Sequence, residues 1–82
     1  MTMNKIRTAK DPVVVYDVMR EAANRLVGLY AQRATVGGLD DPAVEAIANI
    51  FDEVRAVDSH DIEAQEIATA DFRSRYATLR ES

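Results

Sequence analysis

The chain has 82 residues, of which 48% are apolar, and it carries a formal net charge of −4 with no cysteine. This length predicts one domain with a small core. The missing thiols exclude disulfides, thiolate zinc sites and a cysteine nucleophile. Because the longest apolar run is far shorter than the ~20 residues of a membrane span, and because nothing staples the fold covalently, we expect a cytoplasmic protein that does not enter a membrane.

Charge is distributed unevenly along the chain. Residues 1–39 hold six basic and three acidic side chains, whereas residues 40–82 hold eleven acidic side chains and four arginines. Within the second half, residues 40–66 hold nine carboxylates and one arginine. Such a segment repels nucleic acid and anionic lipid and attracts a basic protein surface. We therefore predict a protein partner with a basic surface, and we do not expect direct nucleic-acid binding.

The first ten residues differ from the rest of the chain. Residues 1–10 show no hydrophobic periodicity and contain three basic side chains, Lys5, Arg7 and Lys10. We interpret them as a flexible basic N-terminal arm. Residues 11–82 are then a single helical domain.

The first helix is predicted over about 12–35. Asp11 is a preferred N-cap, Pro12 suits the first helical position, and Gly37-Gly38 supplies a C-terminal stop. Apolar residues recur at three- and four-residue spacing, which predicts one wide apolar stripe. That stripe consists of Val15, Val18, Met19, Ala22, Leu26 and Leu29, with Tyr16, Ala23 and Tyr30 beside it.

Two further helices are predicted over about 42–57 and 60–80. Asp41-Pro42 repeats the first start signal, and Asp58 or Ser59 is the expected N-cap of the third helix. The second stripe contains Val44, Ile47, Ile50, Phe51, Val54 and Val57, and the third contains Ile62, Gln65, Thr69, Phe72, Tyr76 and Leu79. The fold class is therefore all-α, an antiparallel helical hairpin plus a third helix in a three-helix bundle-like arrangement.

Carboxylates around the junction of the second and third helices are the candidate partner-binding site. The site consists of Asp52, Glu53, Asp58, Asp61, Glu63 and Glu66. Exposed carboxylates grouped in this way would steer a basic protein surface into contact. Association with such a partner should therefore be fast and dependent on salt.

A second candidate surface is an apolar seam on the first helix. Its members are Tyr16, Met19, Ala23, Leu26 and Tyr30. Two interpretations are open for this seam. It packs in the core against the other helices, or it forms an interface with a partner or a second copy, which would give a homodimer.

The single histidine, His60, is flanked by Asp58, Asp61 and Glu63. This is one short cluster at a solvated helix start, whereas carboxylate–histidine metal sites draw ligands from several helices. Ser59, His60 and Asp61 do not make a catalytic triad, because sequence neighbours on a helix point in different directions. We therefore predict no catalytic, cofactor-binding or metal-binding residue, and no cofactor.

Three stretches carry a resemblance to a known group of proteins. They are KDPVVVYDVMREAAN at residues 10–24, the junction from Arg55 to Asp61, and the ending from Arg73 to Glu81. In these stretches and in helical order, the chain resembles small helical proteins of phages and other mobile elements in GC-rich bacteria. Many small acidic proteins in that setting are antitoxins or inhibitors. The resemblance implies neutralisation of a partner protein and implies no catalytic residue.

One inhibitor motif matches in part. Antitoxins of Fic-type AMP-transferases carry Ser/Thr-x-x-x-Glu-Gly/Asn on a helix, and the glutamate of that motif pairs with an active-site arginine. Ser59 and Glu63 match the first two positions, and Ala64 departs from the third. Because a serine followed four residues later by a glutamate is common in acidic helices, we do not assign Fic inhibition.

From these observations we expect a non-enzymatic, acidic protein-interaction module. The leading hypothesis is an inhibitor of antitoxin type that binds and neutralises a basic partner protein. The alternative is a homo-oligomeric structural or accessory protein of a phage or mobile element. Self-association that survives dilution and high salt would favour the alternative.

Overall fold

A computed structural model describes residues 11–37 and 42–81. These residues form three α-helices, α1 (Pro12–Gly37), α2 (Pro42–Ala56) and α3 (Ile62–Glu81), and this part of the chain contains no strand. The all-α prediction is therefore confirmed. No helix of the described residues is long and apolar enough to cross a membrane.

Helix α1 is the central element of the fold. It packs against both α2 and α3, whereas α2 and α3 make few contacts with each other. The α1 and α3 axes run in the same direction, because Val14 and Val18 lie beside Glu66 near the start of both helices. At the other end, the Arg33 guanidinium donates a hydrogen bond of 3.1 Å to the Leu79 carbonyl. Helix α3 packs on a side of α1 that differs from the side covered by α2.

The start of α1 is the one predicted from sequence. The Asp11 carboxylate accepts the Val13 amide at 2.9 Å, and the Asp11 carbonyl accepts the Val15 amide at 3.0 Å. Capping of the free amides offsets the low helix propensity of the β-branched residues that open this helix. Helix α1 ends at Gly37. Asp41, the predicted N-cap of α2, lies outside the described residues.

The predicted start of α3 is wrong by one short turn. The N-cap is Asp61, whose carboxylate accepts the Ala64 amide at 3.0 Å, and the helix begins at Ile62. The Asp58 carboxylate instead accepts the His60 amide at 2.7 Å, while the Asp58 carbonyl accepts the Asp61 amide at 3.1 Å. The chain therefore completes a turn at Asp58 before the helix starts, so neither Asp58 nor Ser59 caps it.

The core lies where α1 faces its two neighbours. Its largest fully buried apolar side chains are Met19 and Leu26 of α1, Ile50 of α2 and Phe72 of α3. Ala22 and Ala23 fill the space between them and allow the helices to approach closely. The partly buried side chains packed against this core are Tyr16, Val27, Tyr30, Val54, Val57, Ala68, Tyr76 and Leu79.

Two predicted stripe members are exposed. Val18 is 37% exposed and Phe51 is 41% exposed. Each lies one residue from a core residue, Met19 or Ile50, and so points about 100° away around its helix. The two neighbours of α1 cover the arc centred on Met19 and leave the arc that contains Val18 open.

Two polar side chains of α3, Gln65 and Thr69, are buried with the apolar core. The Gln65 side-chain amide donates to the Asp58 carbonyl at 3.0 Å. The Thr69 hydroxyl donates to the Gln65 carbonyl one turn earlier at 2.8 Å. The bond from Gln65 ties the first turn of α3 to the chain segment that leads into it, whereas the bond from Thr69 lies within the helix.

Candidate protein-interaction surfaces

The six predicted partner-binding carboxylates lie together at the junction of α2 and α3. Two are in the last turns of α2, one is in the connection, one caps α3, and two are in the first turns of α3. All six residues are exposed: Asp52, Glu53, Asp58, Asp61, Glu63 and Glu66. We call this set the acidic end of the molecule.

Asp52 and Glu53 of the acidic end are paired with arginines. Asp52 bonds to Arg55, one helical turn later. Glu53 receives two hydrogen bonds from the Arg75 guanidinium, at 2.8 and 3.3 Å, which link α2 to α3. Arg75 also reaches Asp71 at 3.1 Å. The charges of Asp52 and Glu53 are therefore largely balanced within the fold.

The pairing of Arg75 also affects its own ionisation. The hydrogen bond that the guanidinium donates to Glu53 raises its pKa, partial burial opposes this, and the bond to Asp71 adds to the rise. Because the pKa is raised on folding, the contribution that the ionisation of Arg75 makes to stability is complete at every pH below the ordinary arginine pKa. It is lost only as the pH rises through the folded-state pKa. The link between α2 and α3 is therefore constant over the physiological pH range.

Two further members of the acidic end organise the local backbone. Asp58 and Asp61 use one carboxylate oxygen each, on the His60 and Ala64 amides, and both residues remain exposed. Glu63 and Glu66 lie on α3 at three-residue spacing, so they share one face of that helix. Glu63 adds negative charge beside the N-terminus of α3, where the helix dipole favours it. All four residues are exposed and add to the negative potential of the acidic end.

The apolar seam predicted on α1 belongs to the core. Met19 and Leu26 are fully buried and Ala23 is 1% exposed, so these three side chains are covered by α2 and α3. Tyr16 and Tyr30 are half-buried against the same core. Three of the five side chains are therefore not accessible on the surface of the folded bundle, as the core-packing interpretation expects, and a role of this seam as an interface stays a prediction. The seven-residue spacing of Tyr16, Ala23 and Tyr30 marks the arc of α1 that lies between α2 and α3.

The structure also contains an apolar groove between α1 and α3, which the sequence pattern did not predict. Its volume is about 390 Å³, and it opens on the arc of α1 that neither neighbour covers. Val14, Val15 and Val18 line its α1 side. Its α3 side consists of Glu66, Thr69, Ala70 and Arg73. One residue, Glu66, belongs both to this groove and to the acidic end.

The groove continues toward the middle of the bundle with different chemistry. The next depression is lined by charged groups, Glu21 and Arg25 of α1 and Arg73 of α3, with Ala22 and Tyr76 at its floor. The α1–α3 face therefore changes from negative and apolar near the helix starts to mixed and basic further along. A ligand with basic and apolar groups would match only the first part.

The serine and histidine of the connection form a solvated contact. The Ser59 hydroxyl lies 3.3 Å from His60 Nδ1, and that nitrogen is 3.6 Å from the Asp58 carboxylate. All three residues are exposed. Among the described residues, no group of three or more histidine, aspartate or glutamate side chains is arranged to hold a metal ion.

Comparison of the chain with protein-family models, with curated proteins and with solved structures gave no significant match.

Proposed function

We propose that this protein is a non-enzymatic binding module of the cytoplasm whose acidic end engages a basic surface on a partner protein. The observation that carries the proposal is the exposure of all six carboxylates at one junction of the fold. Four of them, Asp58, Asp61, Glu63 and Glu66, lie where the chain enters α3. Charges grouped on one side raise the rate of encounter with an oppositely charged protein.

Neutralisation of the partner, in the manner of an antitoxin, is the mode of action we favour. An acidic module of this size that covers a basic functional surface would block access of other molecules to it. The proposal draws on the resemblance to small helical proteins of mobile elements. The partial Fic-inhibitor motif adds no support, because Ser59 lies in the turn before α3 and the motif is therefore not carried on one helix.

The test compares two double variants with equal charge change. Glu63→Gln with Glu66→Gln removes two charges from the acidic end, and Glu45→Gln with Glu81→Gln removes two from the opposite end of α2 and of α3. A basic protein retained by the immobilised chain would be purified, and its association rate would be measured at low and moderate salt. We expect a slower rate and a weaker salt dependence for the acidic-end variant only. Equal rates for both variants would refute the proposal.

A homo-oligomeric accessory role is the second candidate function. It is favoured by exposed apolar side chains, since Val13 is 66% and Ile67 is 64% exposed. Such a role would use these side chains and not the buried seam. Molar mass from light scattering at low and high salt distinguishes the candidates. A monomer at both salt concentrations supports the binding module, and a dimer that resists dilution supports the oligomer.

A further inference from the structure

We propose that a groove between α2 and α3 receives an amphipathic helix of the partner protein. Apolar side chains of that helix cover Ile67, and its basic side chains lie beside Glu63 and Asp71. This inference rests on the proposed function for the existence of a basic partner, and it adds the place and the form of the contact. We call the site the α2–α3 groove, and its lining comes from α2, from α3 and from the chain between them.

The α2–α3 groove has a volume of about 400 Å³ and a mainly apolar lining. Helices α2 and α3 each pack on α1 and make few contacts with each other, so space remains open between them. The apolar lining consists of Val57 in the connection and of Ala64, Ile67, Ala68 and Phe72 on α3. The rise from Ala64 to Phe72 is about 12 Å, so the groove has the length of two helical turns.

Ile67 is the side chain of this groove that the fold leaves uncovered. It is 64% exposed, whereas Phe72 is buried. Glu63 precedes Ile67 by four residues and Asp71 follows it by four, so both carboxylates lie one turn away on the same side of α3. The Glu53 carboxylate borders the groove from α2. An exposed apolar side chain is therefore enclosed by carboxylates from both helices.

Arg75 bounds the groove at one end. Its guanidinium lies 5.5 Å from the centre of the Phe72 ring and donates hydrogen bonds to Glu53 on α2 and to Asp71 on α3. Among the described groups at the groove, this one guanidinium stands against the three carboxylates of Glu53, Glu63 and Asp71. The rim is therefore negative, and a complementary occupant carries basic side chains.

The form of the occupant follows from the two walls of the groove. Addition of a strand needs an exposed sheet edge, and the described part of the chain has no strand. A space between two helices accepts a third helix by the packing that builds helical bundles. A second copy of this chain suits the site less well, because a symmetric contact would bring two negative rims together. We therefore assign the groove to a basic amphipathic helix of another protein.

Binding is tested first, on the full chain with a synthetic probe. The probe is a short helical peptide with leucines along one face and lysines on either side of them, and NMR of the isotope-labelled chain locates it. We expect saturable shifts of the amide signals of Ala64, Ile67 and Ala68, and little change at Val18 and Ala70 of the α1–α3 groove, whose wall includes a basic residue. No saturable shift, or equal shifts in both grooves, would overturn the inference.

Two control peptides test the chemistry of the occupant. One has glutamates in place of the lysines, and the other has glutamines in place of the leucines. Each should bind the chain severalfold more weakly than the probe, because the first meets a rim of like charge and the second offers nothing apolar to Ile67. Equal binding of either control peptide would overturn the inference.

Ile67→Lys and Val13→Lys are matched variants of the chain, because the two side chains are 64% and 66% exposed and each substitution adds one positive charge. We expect Ile67→Lys to lose most of its affinity for the probe, whereas Val13→Lys and the conservative Ile67→Leu keep it. Circular dichroism establishes that each variant remains helical. Equal loss in both lysine variants, or loss in neither, would overturn the inference.

The remaining measurements separate this inference from the alternatives. A dimer in light scattering that Ile67→Lys converts to a monomer would show that a second copy fills the groove, and would refute the inference. With the purified basic protein, an acidic-end variant that slows association while Ile67→Lys leaves the affinity unchanged would refute the groove and keep the proposed function. Binding of the probe in the groove, together with a partner rate indifferent to the acidic end, would refute the proposed function and keep the groove as a helix site.

Discussion

At the scale of single residues, Gln65 is the unusual member of the core. Its side chain is fully buried, and its amide nitrogen donates to the Asp58 carbonyl. The amide oxygen is also buried and accepts no hydrogen bond from the described residues. A buried acceptor without a donor costs about 1–3 kcal/mol, which is more than the ~1 kcal/mol that one neutral hydrogen bond contributes.

We therefore expect Gln65→Met to stabilise the protein by about 1 kcal/mol, because methionine keeps the shape of the side chain and removes the unsatisfied oxygen. Urea unfolding followed by circular dichroism measures the change. Thr69→Val is the matched control, since the Thr69 hydroxyl is satisfied by the Gln65 carbonyl, and its removal should instead cost about 1 kcal/mol. A loss of stability in Gln65→Met would show that water satisfies the oxygen.

At the scale of elements, the start of α3 depends on one of several residues that are all competent to cap a helix. Asp58, Ser59 and Asp61 each have a side-chain oxygen that suits an N-cap. The structure assigns the cap to Asp61 and uses Asp58 to close the preceding turn. Ser59 contacts His60 and lies in that turn.

Asp61→Ala should accordingly destabilise the protein by about 1 kcal/mol, because the first turn of α3 loses its cap. Ser59→Ala, only two residues away, should stay within about 0.5 kcal/mol of the parent, as exposed substitutions usually do. Thermal and urea unfolding of the two variants under identical conditions gives the comparison. If Ser59→Ala were the more damaging change, the helix would start earlier in solution than it does in this structure.

The number and type of the elements could be predicted from sequence, and their mutual placement could not. Asp-Pro pairs and apolar residues at three- and four-residue spacing determine that helices form, because both signals act within one helix. Val18 and Met19 satisfy the same spacing equally well. Only the positions of α2 and α3 decide that Met19 is covered and that Val18 borders the groove, and those positions depend on contacts between residues distant in sequence.

The candidate site likewise contains features that could be predicted from sequence and features that could not. Exposure of the carboxylates could be predicted, because charged side chains avoid burial unless they are paired. The pairing of Glu53 with Arg75 joins residues 22 positions apart and has no local signal. The α1–α3 groove had an indirect sequence signal, which is the run of three valines that opens α1. These valines lower helix propensity and supply more apolar surface than the core covers.

At the scale of the whole molecule, stability depends on α1, because both α2 and α3 pack against it. Ile50 of α2 and Phe72 of α3 belong to the same buried cluster, and Arg75 links their helices through Glu53, but each helix approaches α1 much more extensively than it approaches the other. Each of these helices is held chiefly by the side of α1 that it covers. An isolated helical pair of this length is marginal in water, because most helical stability comes from tertiary packing.

The Phe72→Ala variant should therefore be less stable and should still unfold in a single transition that involves all three helices. Loss of a buried phenylalanine costs about 3–5 kcal/mol, against about 4–12 kcal/mol for the total stability of a chain of this size. We expect a single urea transition at a much lower midpoint, with the helical signal and a probe in α2 lost together. Ile50→Ala, a smaller deletion on the other side of α1, should lower the midpoint less. Separate transitions for α2 and α3 would contradict this view.

The central position of α1 also determines the order in which the chain can fold. The α1–α2 hairpin closes across a short connection, but contacts such as Arg33 to Leu79 span 46 positions in sequence. Such distant pairings carry a larger loop-closure cost and form later than local ones. During synthesis, the faces of Met19 and Leu26 that α3 covers therefore stay in water until the last of the three helices emerges. The newly made hairpin is the form of this protein most exposed to aggregation and to proteases.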